Sequence, residues 1–169
     1  MKKAINLESE RLIYTALSLN HCTQDYLDWM NDNDVVKYLE SGGDYTFKKL
    51  EDFLNKQEHK NILFWAIHIK ESKKHIGNIK IDPIDCNKKS AEYGILMGDK
   101  KNWGKGYGNE ASRRILKYCF EDLKLNEITL GVIKDNDRAV RLYKKMGFSI
   151  YNNKLSNSLR MSLDVKNFK

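Results

Sequence analysis

Proline and cysteine are scarce in this sequence. Its 169 residues include one proline, Pro83, so no proline-rich stretch marks a linker between domains. The three cysteines, Cys22, Cys86 and Cys119, form no CxxC pair, and the four histidines form no HExxH pair. We therefore expect reduced thiols and no metal site.

Long apolar runs are also missing. No window approaches the roughly eighteen consecutive apolar residues that a membrane-spanning helix needs. The first residues, Met1–Glu8, lack the uninterrupted apolar stretch of a signal peptide. These absences predict a cytoplasmic protein. Since 41% of the residues are hydrophobic, the chain can fill one core, and we expect a single domain spanning residues 1–169.

Charge gives a weaker indication. The formal net charge of +7 suits a polyanion, such as a nucleic acid, a membrane surface or a phosphorylated cofactor. The excess is lysine spread along the chain without a block of like charges, so a solvated surface is the simpler explanation. Because no RNP-like, helix-turn-helix or zinc-finger signature is present, we expect neither a nucleic-acid partner nor a membrane partner.

Hydrophobic periodicity predicts a mixed α/β fold with helices on both faces of a sheet. The expected strands are 11–18, 62–70, 74–82, 91–97, 127–133 and two closing strands after the last helix. The expected helical segments are 21–30, 34–39, one that begins near Thr46, 106–123 and 137–146. The run of three central strands predicts an antiparallel meander.

A glycine-rich segment, Asn102–Glu110, lies between a predicted strand and a predicted helix. Gly104, Gly106 and Gly108 have no Cβ, so successive backbone N–H groups can turn toward one anion. The N-terminus of the next helix adds unpaired N–H groups, which suits a pyrophosphate. The order of residues excludes a Walker A motif, and the GxGxG spacing does not match a Rossmann fingerprint. A plain turn is the remaining alternative.

A second segment, Asn136–Phe148, has a helical pattern. Asn136 occupies the N-cap position and Gly147 the helix end. One apolar face of this helix consists of Ala139, Leu142, Tyr143 and Met146. The simplest role of Tyr143 is therefore that of a core aromatic residue.

Together the two segments resemble the motifs of GNAT superfamily N-acetyltransferases. The family pattern Arg/Gln-x-x-Gly-x-Gly/Ala corresponds to Trp103–Gly108, with Trp103 in place of Arg or Gln. The second signature, Asn-x-x-Ala-x-x-Leu-Tyr-x-x-x-Gly-Phe, matches Asn136–Phe148 at every named position. The form WGKGYG is similar to the branch of ribosomal-protein and amino-sugar N-acetyltransferases. The resemblance extends from about Ser9 to Phe148.

This resemblance implies the GNAT fold, a mixed and mostly antiparallel sheet of about seven strands whose fourth and fifth strands splay to hold CoA. It implies an acyltransferase that takes acetyl-CoA as cosubstrate and transfers the acetyl group to a primary amine by direct attack in a ternary complex. No cysteine–histidine pair supports an acyl-enzyme route. A homodimer would be ordinary for this family.

The resemblance also assigns the residues that bind CoA. The backbone of Ile95, Leu96 and Met97 would form hydrogen bonds with the pantetheine arm, which would take the place of a neighbouring strand. The glycine loop would bind the pyrophosphate through Trp103, Gly104, Lys105, Gly106, Tyr107 and Gly108. Asn136 would contact CoA as well as cap its helix, and Lys144 would reach a phosphate. A solvated helix face explains Lys144 and its basic neighbours Arg141 and Lys145 equally well.

Two residues are candidates for catalysis. By resemblance, Tyr143 is the general acid, because a phenol with a pKa of about 10 is neutral and can protonate the leaving thiolate. Glu92 can accept the proton of the amine, directly or through water. An ion-paired strand carboxylate is the equal alternative for Glu92, and ordered water alone can also serve as the base.

The acceptor is less defined. The stretch Ile76–Pro83, taken with the glycine loop, is similar to members that acetylate nucleotide-linked amino sugars. Alternative acceptors are the N-terminal amines of ribosomal proteins and polyamines. The protein could also be a CoA-binding regulator without catalysis. We expect the acceptor to contact the N-terminal helices and the Ser41–Asp44 loop.

Overall fold

The structure, a computed structural model, describes residues 4–39, 42–58, 62–152, 154 and 157–168. These residues form eight strands in one sheet, in the order β1-β2-β3-β4-β5-β6-β8-β7. The strands are β1 Leu7–Glu8, β2 Leu12–Ala16, β3 Leu63–Ile69, β4 His75–Asp85, β5 Ser90–Met97, β6 Glu127–Ile133, β7 Ser149–Asn152 and β8 Ser158–Asp164. The seven predicted strands are all present. The additional strand β1 has two residues, too few to show a period.

Helices follow the predicted segments closely. They are α1 Gln24–Asn31, α2 Asn33–Val36, α3 Phe47–Glu58, α4 Tyr107–Glu121 and α5 Asp137–Lys145. The side chain of Thr23 caps α1 by accepting from the Tyr26 N–H, and Thr46 accepts from the Lys49 N–H at the start of α3. Within the described residues, no helix combines the length and apolarity needed to cross a membrane.

Strand pairing changes along β6. This strand pairs antiparallel with β8 over its full length, from Glu127 to Ile133. With β5 it pairs in parallel at three positions only, where Ser90–Glu92 lie opposite Glu127–Thr129. Since β5 continues to Met97, the ladder between the two strands ends well before β5 does. This confirms the predicted separation of two central strands, which are β5 and β6 here.

The chain divides into two compact units. The first contains the residues up to Lys80 and the segment Ile95–Ala111. One apolar cluster in this unit joins the N-terminal helices, β3 and the residue after β2. It consists of Leu17, Tyr26, Leu27, Trp29, Met30, Val35, Leu50, Leu54 and Ala66. Packing of this cluster fixes the helices that the sequence pattern predicts.

The second unit contains Ile81–Gly94 and the residues from Ser112 onward. Alternate residues of β6 are buried, as expected for a strand with one face in a core. They are Ile128, Leu130 and Val132. The part of α4 in this unit buries Ile115, Leu116 and Cys119 fully, as expected for one face of an amphipathic helix. All three cysteines of the chain are free thiols.

Candidate active site

The glycine loop connects β5 to α4. Gly104 and Gly106 have φ angles of 80° and 83°, a left-handed backbone that residues with a Cβ rarely adopt. The helix α4 begins immediately afterwards, at Tyr107. The loop therefore leads directly into the N-terminus of α4, which is the arrangement of an anion-binding loop.

Trp103 attaches this loop to the end of β5. Its indole N–H donates to the Met97 carbonyl oxygen at 2.8 Å. Its ring is half-buried and packs against the apolar cluster of the first unit. Contact between Trp103 and CoA stays a prediction. The side chain supports the loop, and the loop's N–H groups do not depend on an Arg or Gln at this position.

A chain of polar side chains runs from Lys74 to Lys105. Lys74 Nζ lies 2.7 Å from Asp99 Oδ2, and the Asn102 amide donates to the same oxygen at 2.9 Å. Lys105 Nζ donates to Asn102 Oδ1 at 2.9 Å. Burial alone would raise the pKa of Asp99, but hydrogen bonds from Lys74, the Lys101 N–H and Asn102 hold that pKa below its usual value. The carboxylate therefore stays charged and organises the segment before the loop.

The residues predicted to hold pantetheine lie at the end of β5. Ile95, Leu96 and Met97 are half-buried and come after Glu92, the last residue of β5 that pairs with β6. An extended strand with one open edge can bind a ligand as an added strand would. The geometry of this segment is compatible with the predicted role.

Arg11, which belongs to neither motif, contacts the loop and the first turn of α4. Its Nη1 donates to the Lys105 carbonyl oxygen at 3.0 Å, and its guanidinium lies 4.5 Å from the centre of the Tyr107 ring. Its Nε donates to Glu110 Oε2 at 2.7 Å. The other carboxylate oxygen, Oε1, accepts from the Arg11 backbone N–H and from the Ser9 hydroxyl. Sequence reasoning missed this contact because it joins residues 99 positions apart.

In the second unit, Tyr143 is buried on α5, with 8% of its surface exposed. Its ring packs edge-on against Tyr93, at 6.0 Å between centroids, and lies 5.7 Å from Phe148. Burial raises the pKa of Tyr143 to about 12, so the phenol is neutral at physiological pH. Among the described residues its hydroxyl has no hydrogen-bond partner, whereas the Tyr93 hydroxyl lies 2.6 Å from Ser112 Oγ. The Tyr143 hydroxyl therefore donates its proton to no other group among the described residues.

Asn136 caps α5, as predicted. Its Oδ1 accepts from the Ala139 N–H at 3.2 Å. The amide nitrogen of Asn136 makes no hydrogen bond with any described residue, so its N–H donors are left for a ligand. Gly147, with a φ of 102°, follows the end of the helix.

Basic residues on α5 are exposed. Arg141, Lys144 and Lys145 form no ion pair within the described ranges. Both interpretations of Lys144, a phosphate ligand and a solvated cation, fit this position.

Glu92 has a partner on β8. Its carboxylate accepts two hydrogen bonds from the Arg160 guanidinium, at 2.7 and 3.2 Å. The bond to Glu92 raises the pKa of Arg160, and Arg160 Nε also donates to the Tyr151 hydroxyl at 3.2 Å. Of the two roles that the sequence leaves open, the ion-paired carboxylate is the one this geometry displays. Service as a base requires that Glu92 act from within this pair.

Three histidines that are scattered in the sequence lie together in the first unit. The ring centroids of His21, His68 and His75 are 5.1 to 5.4 Å apart. Burial lowers the pKa of all three, and that of His75 falls to about 4. No three histidine, cysteine, aspartate or glutamate side chains among the described residues are placed to hold a metal ion. Because their pKa values are lowered, the three imidazoles are neutral at physiological pH.

The predicted site residues are distributed over both units. The backbone of β5 after Gly94 and the glycine loop belong to the first unit, and Glu92, Asn136, Tyr143 and Lys144 belong to the second. Of the predicted acceptor loop Ser41–Asp44, Ser41 lies outside the described residues, and the Gly43 N–H donates to the Met30 carbonyl at 2.7 Å.

Comparison with known proteins identifies the family. Residues 11–149 match the family described as Acetyltransferase (GNAT) domain. The chain is 30% identical to a spermidine N(1)-acetyltransferase of Vibrio cholerae over 118 residues, which are 70% of this chain and 68% of that protein. It is 32% identical to the acetyltransferase PseH of Campylobacter jejuni over 130 residues, 73% of this chain and 74% of that protein.

A solved structure gives the same result. The spermidine N-acetyltransferase from Vibrio cholerae in complex with CoA and spermine matches with a TM-score of 0.81 and 25% identity, over 93% of this chain and 97% of that one. The chain therefore belongs to the GNAT acetyltransferase family and is an N-acetyltransferase.

Proposed function

We propose that this enzyme transfers the acetyl group of acetyl-CoA to a primary amine by direct attack in a ternary complex. The observation that carries the proposal is the pair of left-handed glycines, Gly104 and Gly106, directly before the first turn of α4. Such a loop presents several N–H groups to one anion, and CoA carries a pyrophosphate. The presence of CoA in the Vibrio cholerae structure supports the same cosubstrate.

In this proposal Trp103–Gly108 bind the pyrophosphate, mainly through the backbone. Lys105 adds a positive charge, and its bond to the uncharged Asn102 side chain leaves that charge uncompensated by an acid. Lys144 and the free amide N–H donors of Asn136 bind other polar groups of CoA. The extended backbone of Ile95–Met97 pairs with the pantetheine arm.

Each catalytic residue has one task. Acetyl-CoA supplies a thioester, and a backbone N–H near Leu96 or Met97 polarises its carbonyl. The amine nitrogen forms a bond to the carbonyl carbon while the C–S bond breaks and the sulfur leaves as a thiolate. Tyr143 gives its phenolic proton to that thiolate. Glu92, held by Arg160, accepts the proton that the amine loses, through a bridging water.

We further propose that the whole chain acts as one acetyltransferase domain. The strands β4 and β5 and the helix α4 each contribute residues to both units, which supports this view. A cytoplasmic location and a homodimer stay predictions.

For the acceptor, we propose a nucleotide-linked amino sugar, in keeping with a branch that includes ribosomal-protein and amino-sugar enzymes. The formal net charge of +7 adds only a small preference for an anionic nucleotide over a polycation, because the excess lysines are spread along the chain.

A polyamine is the second candidate. Two observations favour it: a curated relative named for spermidine at 30% identity, and a solved structure that contains spermine. N-terminal peptides of ribosomal proteins form a third class.

An amine panel tests the proposal. Release of the CoA thiol is measured with acetyl-CoA and amino-sugar nucleotides, spermidine, spermine or N-terminal peptides. We expect the highest kcat/KM with an amino-sugar nucleotide. A reaction without amine is the control, since the exposed Cys86 also reacts with thiol reagents. A higher kcat/KM for spermidine would replace the amino sugar by the polyamine. Binding of acetyl-CoA without turnover of any amine would identify a regulator and contradict the enzymatic proposal.

A further inference from the structure

We infer that Arg11 is a positioning residue, which holds the glycine loop in the conformation that binds the CoA pyrophosphate. This inference rests on the proposed use of acetyl-CoA. Arg11 lies at the start of the chain, outside both motifs, and contacts the loop at Lys105, Tyr107 and Glu110.

The bond to Lys105 sets the direction of a peptide group. Lys105 and Gly106 are joined by a trans peptide, in which the C=O and the N–H point in opposite directions. Arg11 Nη1 binds the Lys105 carbonyl oxygen, so the Gly106 N–H points away from Arg11. Arg11 therefore lies on the carbonyl side of this peptide group. The Gly106 N–H points to the opposite side, where the pyrophosphate would bind.

Besides Arg11, hydrogen bonds from Trp103 to Met97 and from Lys105 to Asn102 restrain the loop, but side-chain packing at its two left-handed glycines is sparse. A Cβ built at Gly104 would meet no described atom within 4 Å, and one built at Gly106 would meet only Arg11 Nη2, at 3.4 Å. Both glycines also have the largest backbone freedom of any residue. Side-chain packing thus does not hold the tip of the loop, and its conformation depends on tethers such as Arg11.

Arg11 is itself held firmly. Glu110 binds both its backbone N–H and its Nε, and the Tyr107 ring lies under the guanidinium. Burial alone would raise the pKa of Glu110, but the bonds from Arg11 and Ser9 hold that pKa below its usual value. The carboxylate is therefore charged whenever the loop must bind an anion. The Arg11 guanidinium stacks on the Tyr107 ring and at the same time donates hydrogen bonds in two directions. A lysine ammonium at this position could not do both.

The experiment measures CoA binding by titration calorimetry and steady-state kinetics of the full chain. In Arg11→Met the Kd of CoA and the KM of acetyl-CoA should rise about tenfold, about 1.4 kcal/mol, while kcat at saturation stays within about twofold. Amide hydrogen exchange at Gly106 should become faster in the free variant. Arg11→Lys should stay within about threefold of Arg11→Met, because one ammonium cannot replace all the contacts.

Lys70→Met is the matched control. Lys70 carries the same charge in the same unit, and its side chain pairs with Glu8 at 3.0 Å. Its backbone N–H donates to the Arg11 carbonyl oxygen, a bond that the substitution keeps, so the Kd of Lys70→Met should equal that of the wild type. Glu110→Gln, which keeps an acceptor but weakens the hold on Arg11, should raise the Kd about threefold. This variant decides the question if Arg11→Met does not fold.

The outcomes separate the two proposals. If the wild type does not bind CoA, the proposed function fails. If the wild type binds CoA and both Arg11→Met and Glu110→Gln bind it equally well, the positioning role alone is wrong. Full recovery of affinity in Arg11→Lys would also overturn it, since a point charge would then be sufficient.

Discussion

The glycine loop and the surroundings of Tyr143 are prepared for their tasks in different ways. Around the loop, exposed and half-buried polar side chains restrain a backbone that has little packing of its own. Around Tyr143, aromatic rings bury one side chain and raise its pKa. An anion site needs donors that point in fixed directions, whereas a proton donor must carry its proton at the working pH. The raised pKa of Tyr143 keeps the phenol protonated and at the same time makes it a weaker acid. Damage to the first should therefore appear in KM, and damage to the second in kcat.

Replacement of Tyr143 is the strongest test of this difference. Tyr143→Phe should lower kcat about a hundredfold, because proton donation to the thiolate contributes a factor of this order. The KM for acetyl-CoA should stay within about twofold. The hydroxyl has no partner among the described residues, so stability should change little. Steady-state kinetics and thermal unfolding measure both effects.

Tyr93→Phe is the control for that variant. It removes a neighbouring phenol that is hydrogen-bonded to Ser112, so it should cost about 1 kcal/mol of stability and leave kcat nearly unchanged. Equal loss of kcat in the two variants would show that the aromatic cluster, and not the Tyr143 proton, matters for turnover.

Burial also acts on a titratable group in the loop's own unit. The pKa of His75 is about 4 in the folded protein and 6.5 in the unfolded chain, so the unfolded state takes up the proton first. Stability is complete above pH 6.5 and falls as the pH drops toward 4. Between pH 7.5 and 5.0 the free energy of unfolding should fall by about 2 kcal/mol from this residue.

Urea denaturation at those two pH values measures the effect. His75→Gln, which has no titrating ring, should lose much of the pH dependence. An unchanged dependence in the variant would assign it to other groups.

Two glycines of the loop offer a matched pair. Gly106→Ala places a Cβ on a residue with a φ of 83°, at a cost of about 1–2 kcal/mol, and should raise the KM for acetyl-CoA about tenfold. At Gly108, inside α4, a Cβ would lie 3.5 Å from Met97 Cγ, an ordinary contact. Gly108→Ala should therefore keep the KM within about threefold and stabilise the helix by up to about 1 kcal/mol. A larger rise in KM for Gly108→Ala would show that space, and not backbone conformation, is critical in the loop.

The smallest effect is expected at Glu92. If it accepts the amine proton through water, Glu92→Gln should lower kcat/KM about fivefold, most strongly at low pH. Arg160→Met breaks the same ion pair but keeps the carboxylate, so it should lose stability and retain more activity. The pH profiles of kcat/KM for both variants test this. Identical profiles would leave Glu92 with a structural role only.

Local patterns predicted the secondary-structure elements well, including the helices that follow each motif's first residues. The cap at Asn136, the end of α5 at Gly147 and the start of α4 after Gly106 depend on residues close in sequence, and the structure has all three. The separation of β5 and β6 followed from the family resemblance, because no residue in either strand signals it alone.

Contacts between distant segments could not be predicted. The bond between Glu92 and Arg160 depends on which strands are neighbours, and alternation within one strand does not contain that information. The three clustered histidines come from a turn and two strands, so their positions in the sequence form no recognisable motif. The contact of Arg11 with the glycine loop could not be predicted for the same reason.

The link between Arg11 and Glu110 also has a consequence for folding. Closing a loop of 99 residues costs conformational entropy, and contacts of this range slow folding. During synthesis, the phosphate-binding conformation cannot be completed before both Arg11 and the first turn of α4 have left the ribosome. Affinity for CoA should therefore be acquired only when the segments that enclose this loop are folded together.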